Sequence, residues 1–326
     1  MIILTGANGF IGTNVLFELN KRKIYDIIIV DDKKSINMNT NLPNRRYRLY
    51  LDKDELWDWF LREHNELGKI SHIIHLGACS DTTETNKKYL YENNFLYSMK
   101  LFQIALQNDI QFIYASSAAT YGDGKNGFSD DHSEITSLTP LNPYGKSKND
   151  FDIWVLNQSN HPKKWIGLKY FNVFGPYENH KGRMSSVVFH SYMQAISRNN
   201  VNLFKSHKPE YLHGDQRRDF IYVEDVAKIT VDLTFNKINS GIYNIGMGES
   251  NTFNDLAKFL FRSLDMDENI TYIDIPLNIR SKYQYNTCAK ISKLKKQLPN
   301  ITFTSFESGI DKYIKFLSNT MVQNSK

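Results

Sequence analysis

The chain has 326 residues, 41% hydrophobic and 23% charged, enough for one large folded unit or two closely joined ones. A formal charge of +5, dispersed rather than gathered into a stripe, suits a small anionic ligand such as a nucleotide and argues against a nucleic-acid binder. Two cysteines, Cys79 and Cys288, speak against a disulfide framework, the nine histidines do not pair as metal motifs do, and no apolar run approaches the roughly 20 residues of a bilayer span.

Along the chain, short apolar runs alternate with helix-like stretches. The first run, "MIILTG", begins at Met1–Ile2 and leaves no room for a secretory leader, so a cytoplasmic location is expected. Helices are expected over Asn14–Arg22, Lys53–Leu67, Lys87–Asn108 and Tyr144–Ser159, separated by "YDIIIVDD", "ISHIIHLGA", "IQFIYASSA" and "WIGLKYFNV". Continuous apolar runs of this length fit strands covered on both faces, and their alternation with helices implies an α/β fold with a doubly wound parallel sheet. After Val173 the rhythm loosens. Residues 1–171, with about 217–240 returning, are expected to form this unit, and "RDFIYVEDVAKITVDLTF" to rejoin its sheet. Residues of about 172–216 and 241–318 should form a smaller α+β domain, and 319–326 a disordered tail.

The first strand runs into "GANGFIG", with Gly6, Gly9 and Gly12 ahead of a helix. Glycines at these positions permit a tight turn, close backbone approach to a pyrophosphate, and close helix–strand packing, while the helix start offers free N–H groups. The next strand ends in Asp31, placed to accept a ribose hydroxyl as in NAD binding. Asp32, Lys33 and Lys34 follow, and cations there would accommodate the extra phosphate of NADP, so the choice stays open. Further on, "LNPYGKSK" sets Tyr144 and Lys148 four residues apart after a proline-broken loop. In a helix these share a face, and a cation beside a phenol lowers its pKa toward that of a useful base.

The glycine trio, "HLGA", "SSAATYG" and Tyr144-x-x-x-Lys148, in this order, resemble the extended short-chain dehydrogenase/reductase family. Longer stretches, among them "LGACSDTTE", "NHKGRMSSVVFH", "RRDFIYVEDVA" and "KYQYNT", resemble its branch of nucleotide-linked heptose 6-epimerases, from Met1 to roughly Leu317. The resemblance implies a Rossmann domain, a bound NADP or NAD, a nucleotide-sugar substrate and a homo-oligomer, typically a pentamer. It further implies interconversion of ADP-D-glycero-D-manno-heptose and its L-glycero epimer in lipopolysaccharide core synthesis. The carbinol carbon C6'' has no acidic proton, so hydride must leave and return to the other face. Tyr144, supported by Lys148, would be one acid/base; Lys181 would be the second; Ser117 would bond the reacting oxygen.

By the same resemblance the cofactor would meet Phe10, Ile11, Asp31, Asp32, Lys53, Leu76, Gly77, Ala78, Cys79, Ser80, Asn93, Lys148, Val173 and Lys181. The sugar nucleotide would meet Asn172, Arg183, His190, Phe204, Lys205, Ser206, His207, Arg218 and Tyr283. Three departures stand out: Met38 where the family often has lysine, Arg183 where it has a small residue, and a lengthened "FKSHKPEYLHGDQRRD". An epimerase of GDP-linked heptose or an NDP-hexose 4-epimerase is the alternative, the latter sharing Ser117, Tyr144 and Lys148 without needing Lys181. A dehydratase would need acidic residues where Ala118 and Ala119 stand, and a silent NAD(P) sensor would not need both Tyr144 and Lys148.

Overall fold

The computed structural model describes residues 1–33, 42, 44–280 and 283–324. Strands β1 (Ile2–Thr5), β2 (Ile27–Asp31), β3 (Leu49–Asp52), β4 (His72–His75), β5 (Gln111–Ser117), β6 (Trp165–Tyr170) and a late strand at Gly241–Ile245 form one sheet. Its order is late strand, β6, β5, β4, β1, β2, β3, and every pairing is parallel. The order reverses at β1, which lies between β4 and β2. The carboxyl ends of β1 and β4 therefore flank the crevice where open α/β sheets bind ligands.

Alternation along each strand feeds two cores. Ile2 and Leu4 face one side, with Val15, Leu16 and Leu19 of helix α1 (Phe10–Lys21); Ile3 faces the other, among Ile28, Ile73, Phe102 and Phe112. β3 has no long apolar run, since only Leu51 of its four residues is buried at this sheet edge. The stretch expected as one helix over Lys53–Leu67 is two, Glu55–Arg62 and His64–Leu67, broken at Glu63. That over Lys87–Asn108 is helical throughout but contains a π-helical turn, Tyr91–Leu96, whose extra residue resets the helix face.

Two expectations about the return to the sheet need correcting. The strand β7 (Asn172–Phe174) pairs in parallel with Phe220–Tyr222, apart from the main sheet, so "RDFIY" does not rejoin it. The following helix, α2 (Val223–Phe235), does return: Ala227 and Val231 pack beside Val15 and Leu16, and Asp232 pairs with Arg22 at 2.8 Å. The strand that completes the sheet is Gly241–Ile245, within the stretch assigned above to the smaller domain. Burial on every residue suits it to that place. A separate core of Phe174, Val188, Tyr192, Leu203, Phe220, Leu256, Phe261, Phe306 and Tyr313 builds the second unit. The last helix runs Phe306–Asn324, so residues 319–324, expected as a tail, continue it.

Candidate active site

The phosphate loop follows from two close approaches and an open helix start. Gly6 sits at φ +69°, and a Cβ there would lie 2.6 Å from the backbone nitrogen of Gly77. A Cβ on Gly12 would lie 1.9 Å from the Gly6 carbonyl oxygen, so α1 meets the loop at backbone distance. Gly9 is the N-cap of α1, and no side chain caps it, which leaves the helix start open to a phosphate. Such a cradle fits a dinucleotide. Gly12→Ala is expected to fold yet lose about 10- to 100-fold in dinucleotide affinity, the overpacking cost of roughly 1–3 kcal/mol. Fluorescence titration of the purified variant checks this; unchanged affinity would remove the loop from the site.

The crevice around the cradle is lined by Phe10, Ile11, Asp31, Leu76, Gly77, Ala78 and Ser80. It continues past Asp32, Lys53, Cys79 and Asn93. Asp31 is held by the backbone N–H groups of Asn8 and Asp32, each at 2.8 Å, which aims its carboxylate from the end of β2. Lys53 lies 3.5 Å from Asp32 and 3.4 Å from the Asn93 side-chain oxygen. Lys33 pairs with Glu55, while Lys34 and Met38 lie outside the described residues. Tyr89, Tyr97 and His180 also line the crevice, although none was expected on the cofactor.

One hub escaped the sequence reading. Asn94 is fully buried, and its amide brackets Cys79, accepting from the Cys79 N–H at 2.8 Å and donating to its carbonyl at 2.9 Å. It also donates to the Ser147 hydroxyl at 3.0 Å, joining the cofactor loop to the helix of Tyr144. The π-helical turn makes this geometry, setting Asn93 toward the crevice and Asn94 toward the loop. Two adjacent asparagines at a helical position were the available signal.

The helix that carries the phenol, Pro143–Leu156, starts where the sequence dictates. Asn142 caps it by accepting from the Gly145 N–H at 2.7 Å, and Pro143 occupies the first turn. Tyr144 is buried, with its phenol beside the Ser117 side chain. The expected lowering of its pKa is not what this environment produces. Burial is the largest influence and pushes the phenol up, Ser117 opposes it, and Cys79 adds to it. Lys148 instead sends its ammonium to the Ala115 carbonyl at 2.9 Å, and burial lowers its own pKa to about 8. The shared helix face is present, but the lysine's long stem ends at the strand.

Lys181 lies in a tight turn, Asn179–Met184, that hangs on Glu178. The buried Glu178 carboxylate accepts from Gly175 N–H at 3.2 Å, from the Ser186 hydroxyl at 2.7 Å and from the Ser186 N–H. The Lys181 ammonium stands 5.2 Å from the Phe10 ring centroid, and burial lowers its pKa, with Glu178 opposing. It lines two spaces at once: the cofactor crevice, and a second cleft walled by Asn172, Val173, Met184, Arg218, Phe220 and Phe253. Val173, expected on the cofactor, therefore sits on the second cleft. Arg218 is gripped over Tyr283 at 5.2 Å and Phe253 at 5.5 Å from their ring centroids.

The other residues expected on the substrate stand off this wall. Arg183 is exposed and donates to Asp81 at 2.9 Å and Thr83 at 2.6 Å, clipping the Lys181 turn to the cofactor loop. His190 meets the Arg183 carbonyl at 3.3 Å and the Phe189 ring at 6.0 Å between centroids. Phe204 packs its ring on Tyr283 at 5.7 Å, and Lys205 faces Asp274 at 3.8 Å. The backbone of Ser206 donates to His213, and that of His207 to the Tyr285 hydroxyl. The lengthened loop thus closes on itself.

Residues 2–246 match the profile of the NAD dependent epimerase/dehydratase family. An ADP-L-glycero-D-manno-heptose-6-epimerase of Fusobacterium nucleatum is 44% identical over 323 residues, 97% of each chain. One from Nitratidesulfovibrio vulgaris is 42% identical over 316 residues, again 97% of each. The crystal structure of the Helicobacter pylori enzyme of that name superposes with a TM-score of 0.81 at 29% identity, covering 97% of this chain and 96% of the other.

Proposed function

The chain belongs to the NAD-dependent epimerase/dehydratase family, and from that premise we infer that it interconverts ADP-D-glycero-D-manno-heptose and ADP-L-glycero-D-manno-heptose. Its place is then the supply of heptose for lipopolysaccharide core. The observation that carries the reading is Lys181, a half-buried amine with a lowered pKa facing both the cofactor crevice and the second cleft. Epimerisation at a carbinol carbon needs a proton acceptor for each orientation of the sugar, and Tyr144 and Lys181 are two groups able to serve.

A bound nicotinamide would supply reversible hydride acceptance at C6''. Everything else falls to the chain. Gly6, Gly9 and Gly12 cradle the pyrophosphate; Asp31, Asp32, Lys53 and Asn93 receive the adenosine end; Leu76 to Ser80 wall the crevice. Tyr144 holds or takes the proton of the reacting hydroxyl, Ser117 bonds the same oxygen, and Lys181 exchanges the proton in the other orientation. Arg218 suits the sugar nucleotide's pyrophosphate, because a guanidinium grips phosphate oxygens in a bidentate way.

NADP is the cofactor of this reading. NAD is the second reading, favoured by the Asp31 carboxylate and by the engagement of Lys33 with Glu55. We place the protein in the cytoplasm; among the described residues no helix is long and apolar enough to cross a membrane. A homo-oligomer is part of the same reading, supported by an apolar groove of Leu90, Tyr91, Phe95 and Leu141 beside exposed Tyr89. Mixing the purified protein with ADP-D-glycero-D-manno-heptose, without added cofactor, should yield the C6'' epimer by NMR, and the nucleotide released on denaturation identifies NADP or NAD. Turnover of an NDP-hexose instead would overturn the substrate assignment.

A further inference from the structure

Beneath the end of β5 lies a charge pair that no step above uses. Lys169 of β6 and Asp152 of the Tyr144 helix have side chains 0% exposed, with Nζ 2.6 Å from Oδ2. Their other valences are filled as well. Lys169 donates to the Thr120 hydroxyl at 2.7 Å, and Asp152 accepts from the Ser116 hydroxyl at 2.6 Å and the Tyr114 hydroxyl at 3.0 Å. Desolvating two ions is costly, and apolar side chains of the same volume often stabilise a core as well or better. Stability alone is therefore a weak reason for the pair.

Its position supplies a better one. Asp152 follows Lys148 by one helical turn, as Lys148 follows Tyr144, so carboxylate, ammonium and phenol form one stripe. Three consecutive residues of β5 engage that stripe: the Ala115 carbonyl takes Lys148, the Ser116 hydroxyl serves Asp152, and Ser117 lies beside the Tyr144 phenol.

We propose that Asp152 and Lys169 are positioning residues that set the pH range in which Lys148 stays protonated, and through it the range in which Tyr144 exchanges a proton. This rests on Tyr144 and Lys148 being the acid–base pair of the proposed function. The titratable groups facing Lys148 are Tyr144 and Asp152 on its own helix, the Cys79 thiol from the loop after β4, and His75 of β4. Burial keeps His75 neutral, with its pKa near 3. Asp152 is thus the carboxylate that opposes the desolvation of Lys148, and Lys169 partly cancels that carboxylate.

The two partners should then act in opposite directions. Asp152→Asn removes the negative charge, so Lys148 loses its proton at lower pH, and the high-pH limb of kcat/KM moves down by roughly one pH unit. Lys169→Met leaves the carboxylate uncompensated and moves the same limb up. Should either single variant fail to fold, the charge-balanced double variant is measured, with its limb expected to move down relative to the parent protein. Limbs that stay put, or that move the same way in both single variants, overturn the proposal, as does an unmoved limb in the double. Tyr144→Phe measured alongside separates the two failures: normal turnover there sinks the acid–base reading itself, whereas an inactive Tyr144→Phe with unmoved limbs sinks only this inference.

Discussion

Tyr144→Phe is expected to retain its dinucleotide and to epimerise at least about 10²-fold more slowly, within the range of 10²–10⁴ for a lost general acid–base. That corresponds to roughly 3–5 kcal/mol of transition-state stabilisation. Phenylalanine preserves the ring in its buried place, so the helix start at Asn142 and Pro143 and the crevice walls stay as they are. What disappears is the phenol oxygen beside Ser117. The sign of the pH dependence follows from burial, which raises the phenol's pKa: the group is protonated at neutral pH, and its fraction as a base grows as pH rises. The parent protein should therefore quicken with pH until Lys148 loses its proton, near 8, and that rise should vanish in the variant. Rate measurements across pH, with the nucleotide content of each preparation, check both parts. Near-normal turnover would take Tyr144 out of the reaction.

The second large effect is expected from Lys181→Met, which keeps the aliphatic stem and removes the amine. Net epimerisation should fall by about 10² or more, again the scale of one general acid–base group. The loss should be one-sided. The epimer whose hydroxyl proton goes to Tyr144 should still reduce the bound nicotinamide once, whereas its partner should not. Lys181 is well placed for such a split, because its turn is anchored by Glu178 and clipped by Arg183 to Asp81, independently of the Tyr144 helix. Stopped-flow absorbance with each epimer distinguishes the outcomes. Full activity would instead favour an NDP-hexose 4-epimerase, which has no use for a second amine.

Much of the site was legible because its geometry is local. Gly6, Gly9 and Gly12 meet one another within a single turn, and Asn142, Pro143, Tyr144 and Lys148 are arranged by one helix start. A motif can record such contacts because a few neighbouring residues make them. The substrate side was less legible. Arg183, Phe204, Lys205 and His207 take partners from distant segments, Asp81, Tyr283, Asp274 and Tyr285, which neighbouring residues do not record. Met184 and Phe220, inside quoted stretches but given no role there, and Phe253, outside them, line that wall.

By itself the sequence determined the parallel α/β sheet, the phosphate loop and the helix that bears Tyr144, since apolar runs, glycine spacing and caps act over a few residues. Only the tertiary structure decided that Gly241–Ile245 completes the sheet, that Asn94 ties the cofactor loop to that helix, and that burial raises rather than lowers the phenol's pKa. The physical reason is the same in each case. Strand partners, buried amide bonds and desolvation depend on what distant segments bring into contact, and that is fixed when the chain closes on itself.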